Sequence, residues 1–167
     1  MILLIPIDER VARALEKGCD EFEKTYHASP GDNLALVREV VDQTLALLAR
    51  APRDPPWGGF LAVDEERAAI IGTCGFRTGP GPGGVVEIAY FTFPAFEKKG
   101  YATRMARRLI ALAEGAIEVR QVIAHTRPER GASTRVLEKA GMVLVGEVED
   151  PEDGRVWRWV APDRQEW

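Results

Sequence analysis

The sequence predicts an α/β protein: helices first, then a mixed sheet of hairpin strands with one helical crossover. Three observations predict it. Apolar residues recur at helical spacing through the first third of the chain. From Trp57 onward the pattern changes to short apolar runs rich in β-branched and aromatic residues. Beyond residue 100, two amphipathic segments alternate with further strand-like runs, which makes part of the sheet parallel.

Taken in order, residues 8–26 hold Val11, Leu15, Phe22 and Tyr26 among many charges and read as one helix. Ser29-Pro30-Gly31-Asp32 supplies turn and cap residues before a clearer helix at 34–50, marked by Leu34, Val37, Val41, Leu45 and Leu48. The prolines of 51–56 end it. Strands follow at 59–63, 69–76 and 85–93, the last two joined by the Gly/Pro-rich turn 79–84, which lacks the Lys-Ser/Thr ending of a phosphate loop. A helix at 100–113 has Ala102, Met105, Ala106, Leu109, Ile110 and Ala113 on one face. A strand at 119–125 and a helix at 132–139 with Gly141 as its stop come next, then a closing hairpin, 142–148 and 155–160, around Asp150-Pro-Glu-Asp-Gly154. The expected order is two helices, three strands, helix, strand, helix, two strands.

The 167 residues suit a single domain, divided into an N-terminal helical region (1–56) and a sheet core (57–160). With 22 Lys and Arg against 26 Asp and Glu, the net charge of -4 argues against a whole-molecule grip on nucleic acid. No apolar run approaches the 18 or so residues of a membrane span, and 1–6 is too short for a signal-peptide core. Two cysteines, Cys19 and Cys74, form no CxxC and suit a reducing cytoplasm, with Cys74 expected in a strand core. Two histidines and two cysteines at scattered positions give no zinc spacing, so no metal is expected.

Phosphate-binding chemistry is expected at residues 93–103. A strand runs into a short loop, two lysines, and a glycine that opens a helix. The first N–H groups of a helix have no internal partner and carry the positive end of its dipole. Lys98 and Lys99 add charge, and Arg104, Arg107 and Arg108 follow with no acid before Glu114. The competing reading is a solvated basic helix face.

Phe96-Glu-Lys-Lys-Gly-Tyr-Ala-Thr103 resembles the pyrophosphate motif of the GNAT acyltransferases: Gln or Arg, two residues, Gly, one residue, then Gly or Ala. Pro128-Glu-Arg-Gly-Ala-Ser-Thr-Arg-Val-Leu-Glu-Lys-Ala-Gly-Met142 is similar to the second motif of the branch that acetylates ribosomal-protein N-termini: Asn, any residue, Ala, Ser, then Val-Leu-Glu-Lys-x-Gly-Phe. The resemblance covers about 57–160. Glu97 departs from the usual Gln or Arg, and Arg130 from the usual Asn; Arg130 would instead contact a phosphate or a substrate carboxylate.

The resemblance implies the GNAT fold, a mostly antiparallel mixed sheet splayed at the cofactor site and flanked by helices. It also implies N-acetyl transfer from acetyl-CoA to an amine by direct attack. Backbone groups of Phe91, Thr92 and Phe93 would pair with the pantetheine arm. Lys98, Lys99, Gly100, Tyr101, Ala102, Thr103, Arg130 and Ser133 would complete the cofactor site. The acceptor would be a protein N-terminus or a small amine, and a homodimer is an assembly many relatives adopt. The N-terminal region, with 7 basic and 10 acidic residues, favours a cationic acceptor.

The amine must lose a proton before it attacks. Alternation along 85–91 puts Glu87 on an otherwise apolar face, where a carboxylate suits a general base; the alternative is a Glu paired with a neighbouring arginine. Ser133 matches the family serine proposed to protonate the leaving thiolate, and also stands where a helix N-cap belongs. His125, at a strand end, is read as structural before it is read as a base. Tyr101 is expected in packing or cofactor contact, and Tyr90 in the core. Trp157 and Trp159 share a strand face and read first as core, as does Trp57; His27 is expected at the surface. Two other classes remain: an acyl-CoA-binding sensor without turnover, and a nucleic-acid binder using the basic strip 98–108, against which the lack of interleaved exposed aromatics counts.

Overall fold

The computed structural model describes residues 1–163; Trp167, uninformative in the sequence, lies outside them. The elements are β1 (Ile2–Pro6), α1 (Glu9–Lys17), α2 (Cys19–Tyr26), α3 (Leu34–Arg50), β2 (Gly59–Asp64), β3 (Ala69–Phe76), β4 (Val85–Thr92), α4 (Tyr101–Glu114), β5 (Gln121–Thr126), α5 (Ala132–Lys139), β6 (Val143–Asp150) and β7 (Gly154–Val160). The strands form one mixed sheet in the order β1-β2-β3-β4-β5-β7-β6. Its β4/β5 pair is parallel, while β1/β2, β2/β3, β5/β7 and β6/β7 are antiparallel.

Two expectations need correction. Residues 2–6 form a strand that the sequence reading did not assign. Ile-Leu-Leu-Ile-Pro has no period of its own; it becomes β1 because β2 pairs with it, Ile2 opposite Asp64 through Pro6 opposite Phe60. Ile2 and Ile5, on opposite faces of β1, are both buried, while Leu3 is exposed, so burial follows the pairing with β2 and not a simple alternation. The expected helix over 8–26 is two helices. Gly18 sits at φ +113, a conformation that L side chains rarely adopt, and its N–H bonds the Leu15 carbonyl to end α1 before α2 begins.

The described residues divide into two compact units, 1–75 with 90–101, and 76–89 with 102–163. In the first, α1 is capped by the Asp8 carboxylate, which accepts from Val11 N–H at 3.0 Å. The core of this unit joins Val11, Leu15, Phe22, Val37 and Val41 from the helices to Leu61, Val63 and Ile70 from β2 and β3. In the second, α4 buries Met105, Ala106, Leu109 and Ala113, β5 buries Val122, Ile123 and Ala124, and Trp159 lies almost fully inside. Trp57 and Cys74 are buried as expected, whereas Trp157 and Tyr90 are only half-buried. Among the described residues no helix is long and apolar enough to cross a membrane.

Candidate active site

In the first unit, the end of β4 is fixed by close backbone packing. A Cβ placed on Gly72 would lie 2.3 Å from the Phe91 carbonyl oxygen, so only glycine permits this approach. Phe93 N–H bonds the Ile71 carbonyl at 2.9 Å, and the Phe93 ring is fully buried. Phe91 next to it is exposed. The buried Thr92 Oγ1 has no hydrogen-bond partner among the described residues. Burial pushes the Tyr90 phenol up to about 12, so that hydroxyl stays protonated at neutral pH.

The strand leads into the loop that the sequence marks for phosphate. Two of its residues are left-handed, Lys98 at φ 61 and Gly100 at φ 83. Such turns gather N–H groups into an anion-binding concavity, and here they stand at the first turn of α4. A Cβ on Gly100 would meet nothing within 4 Å, so space beside the backbone is open on that side. Glu97, Lys98, Lys99 and Gly100 are exposed, and Lys99 Nζ sits 5.9 Å from the Phe96 ring centre. Tyr101 points inward: its ring packs edge-on against Phe96, and its hydroxyl donates to Asp64 Oδ2 at 2.6 Å. That hydrogen bond, aided by the N–H groups of Arg67 and Glu66, holds the Asp64 carboxyl below the usual range against the effect of burial. The side chain of Tyr101 is therefore the anchor of the loop, leaving its backbone for a ligand. Thr103 is buried and Ala102 half-buried.

In the second unit, Glu87 is buried between partners. Its Oε2 pairs with Arg77 Nε at 3.2 Å, and its Oε1 is hydrogen-bonded to His125 Nδ1. His125 Nε2 lies 3.0 Å from Arg158 Nε. A guanidinium N–H only donates, so Nε2 must accept and the imidazole proton sits on Nδ1, donated to Glu87. Arg77 also pairs with Glu152 at 3.1 Å and Asp153 at 3.4 Å. Burial opposes the charge on Arg77, but Glu87 and Asp153 outweigh it and raise its pKa. The loop bearing Glu152 and Asp153 is shaped by Asp150, whose Oδ1 accepts both of their N–H groups, at 2.8 and 2.9 Å. The face of β4 that carries Glu87 is open around it, with Val85 and Ala89 exposed.

At α5, Gly131 is the N-cap and Thr134 closes the turn, its hydroxyl bonding both the N–H and the carbonyl of Gly131 at 2.9 Å. Ser133 is not the cap: it lies one residue inside the helix, exposed to solvent. The backbone turn chose the hydroxyl at the third helical position, and no sequence signal separates adjacent Ser and Thr. Arg130 pairs with Glu138 and lies 5.6 Å from the Trp157 ring centre. Sequence reasoning missed Asp64, Arg77 and Arg158, whose partners Tyr101, Glu87 and His125 stand on other elements of the chain. It also missed a cavity of about 460 Å³ in the first unit, with Ile7, Leu45, Leu48 and Phe60 in its walls and Asp8, Glu9 and Arg53 among its lining. His27 is exposed at the end of α2. Among the described residues no group of three His, Cys, Asp or Glu side chains could hold a metal ion.

A seven-stranded mixed sheet with β4 and β5 parallel and a glycine-opened helix after β4 defines a class of fold, and residues 3–143 match its acetyltransferase (GNAT) domain family. The chain belongs to that family, as the two sequence motifs implied. It is similar to the uncharacterized N-acetyltransferase YjdG of Bacillus subtilis (strain 168), 29% identical over 85 residues, 51% of each protein. The chain thus spans about half the length of the curated relative it matches. Its fold resembles that of the aminoglycoside acetyltransferase AAC(6')-Ib solved with coenzyme A and kanamycin, with a TM-score of 0.67, 23% identity, and 99% of this chain and 96% of that one covered. It also resembles the Salmonella typhimurium acetyl transferase that modifies the N-terminal serine of 50S ribosomal subunit protein L7/L12, with a TM-score of 0.65, 16% identity, and coverage of 97% and 95%.

Proposed function

We propose that this chain acts as a single transferase domain in a reducing cytoplasm, moving an acetyl group from acetyl-CoA to a primary amine by direct attack. The observation that carries the reading is the loop before α4, with left-handed residues at Lys98 and Gly100, exposed lysines, and a helix N-terminus behind them. Lys98 and Lys99 contribute charge toward the diphosphate, and Gly100, Tyr101, Ala102 and Thr103 contribute backbone N–H groups. The backbone of Phe91, Thr92 and Phe93 holds the pantetheine arm, and Arg130 and Ser133 complete the cofactor contacts. When bound, acetyl-CoA supplies the acyl group as an activated thioester.

The proton lost by the acceptor ammonium goes to the group formed by Glu87 and its hydrogen-bonded neighbours, and the exposed Ser133 hydroxyl is the donor to the leaving sulfur. Support for a cationic acceptor comes from the acidic balance of residues 1–56, 10 acidic against 7 basic. The structural relatives named above act on an aminoglycoside in one case and on a protein N-terminus in the other. A screen of small amines and N-terminal peptides separates these classes.

Calorimetric titration with acetyl-CoA, beside the Gly100→Glu variant, is the first test. Saturable binding lost in the variant, with thiol release when an amine is added, is the expected result. Binding without release from any amine makes the chain an acyl-CoA sensor, and no binding by the wild type refutes the cofactor assignment.

A further inference from the structure

Within the acetyl-transfer reading, on which this inference rests, we propose that the proton acceptor is Nε2 of His125, with Glu87 as its positioning residue and Arg158 as a removable latch. The arrangement is a carboxylate–imidazole dyad. Glu87 Oε1 receives the Nδ1 proton of His125, which leaves the lone pair on Nε2. A carboxylate in this place fixes the tautomer and stabilises the imidazolium once it forms. Glu87 is held from both sides, one oxygen by His125 and the other by Arg77, which fixes the carboxylate beside the ring it orients.

The Nε2 lone pair is covered by Arg158. Arg158 stands directly opposite His125 in the β5/β7 ladder and donates through Nε at 3.0 Å. Among the described residues this is the one hydrogen bond of its side chain, which makes no salt bridge. A guanidinium anchored only to a neutral ring is held weakly. Its partner on the other side, in β6, is Gly146, where an added Cβ would meet nothing within 4 Å. Arg158 therefore has room beside it. An acceptor ammonium offers Nε2 the same N–H donor that Arg158 now offers, and takes its place.

The step balances without a further reactant. One ammonium proton passes to Nε2, the freed nitrogen pair forms the new N–C bond, and the C–S bond breaks with its electrons on sulfur. The second nitrogen proton goes to that sulfur, by way of Ser133 in the assignment above, and the imidazolium releases its own to water. The charged groups facing the dyad are Arg77 before β4, Arg158 on β7, Asp150 at the end of β6, and Glu152 and Asp153 in the turn to β7.

Two experiments test this. Nitrogen-15 NMR of the imidazoles in the protein alone is expected to show His125 with its proton on Nδ1; the Nε2-protonated tautomer overturns the assignment whether or not the protein turns over. Steady-state thiol release then compares three variants. His125→Gln is expected to lose about 100-fold or more in kcat with unchanged acetyl-CoA binding, a size typical of a removed acid–base group. Glu87→Gln loses less, about tenfold, because a misdirected imidazole still accepts protons. Arg158→Gln is expected to raise kcat/KM, since the covering guanidinium is gone. A Glu87→Gln loss as deep as or deeper than that of His125→Gln makes Glu87 the base and refutes the inference while leaving acetyl transfer intact. Wild type that releases no thiol with any amine refutes the transferase reading instead.

Discussion

Replacing Tyr101 with Phe removes one hydroxyl and leaves the ring packing on Phe96 in place. That hydroxyl donates to Asp64, a carboxylate only 6% exposed, at 2.6 Å. A hydrogen bond to a charged group contributes about 1.5–3 kcal/mol. Asp64 keeps the N–H groups of Glu66 at 3.0 Å and Arg67 at 3.4 Å, so it is not stripped of donors. The loss therefore falls near the lower end, about 1.5–2 kcal/mol. For a chain of this length that is a fall in Tm of about 3–8 °C.

The pH dependence has a definite sign. Tyr101 is the main cause of the lowered Asp64 pKa. A depressed folded-state pKa contributes stability that is complete above the unfolded value of about 3.9 and is lost as pH falls through the folded value. The gap between wild type and Tyr101→Phe is thus full at neutral pH and narrows below about 3.9. Because Tyr101 follows Gly100, weaker acetyl-CoA binding accompanies the change. Urea denaturation across pH and acetyl-CoA calorimetry measure both. A stability loss under about 0.5 kcal/mol, or a gap as wide in acid as at neutrality, refutes the anchoring role.

Three further outcomes follow from single contacts. Gly72→Ala puts a Cβ 2.3 Å from a backbone oxygen of β4, which cannot swing away; a loss of about 3 kcal/mol or more in urea is expected, and a well-tolerated variant shows that the strands sit farther apart. Thr92→Val deletes a buried hydroxyl with no partner among the described residues; about 1 kcal/mol of stabilisation is expected in the ligand-free protein, and a lowered Tm reveals a partner for the hydroxyl. Gly100→Ala meets open space but a φ of +83; backbone strain alone is expected to cost about 1–2 kcal/mol, so an unchanged melting curve contradicts the left-handed assignment.

Local signals made much of this protein legible in its sequence. The helical spacing of Leu34, Val37 and Val41 and the prolines after residue 50 placed α3 at its observed ends, because period and chain breakers act within a few residues. Lys98, Lys99 and Gly100 marked the exposed loop and the helix opening at Tyr101 for the same reason: a helix start and its flanking charges are contiguous in the chain. Where the chain needed a partner, the sequence was silent. β1 has no period and exists through its pairing with β2. Ser133 and Thr134 are adjacent hydroxyls, and the backbone at Gly131 selected the second as the capping group. Glu87 could be seen on a strand face, but not that Arg77 and His125 close on its two oxygens from other segments, nor that Arg158 caps the imidazole across a β ladder. Residue type and local period fix which segments form and what chemistry they carry. Strand register decides which charges meet, because it joins residues that are dozens of positions apart in the chain.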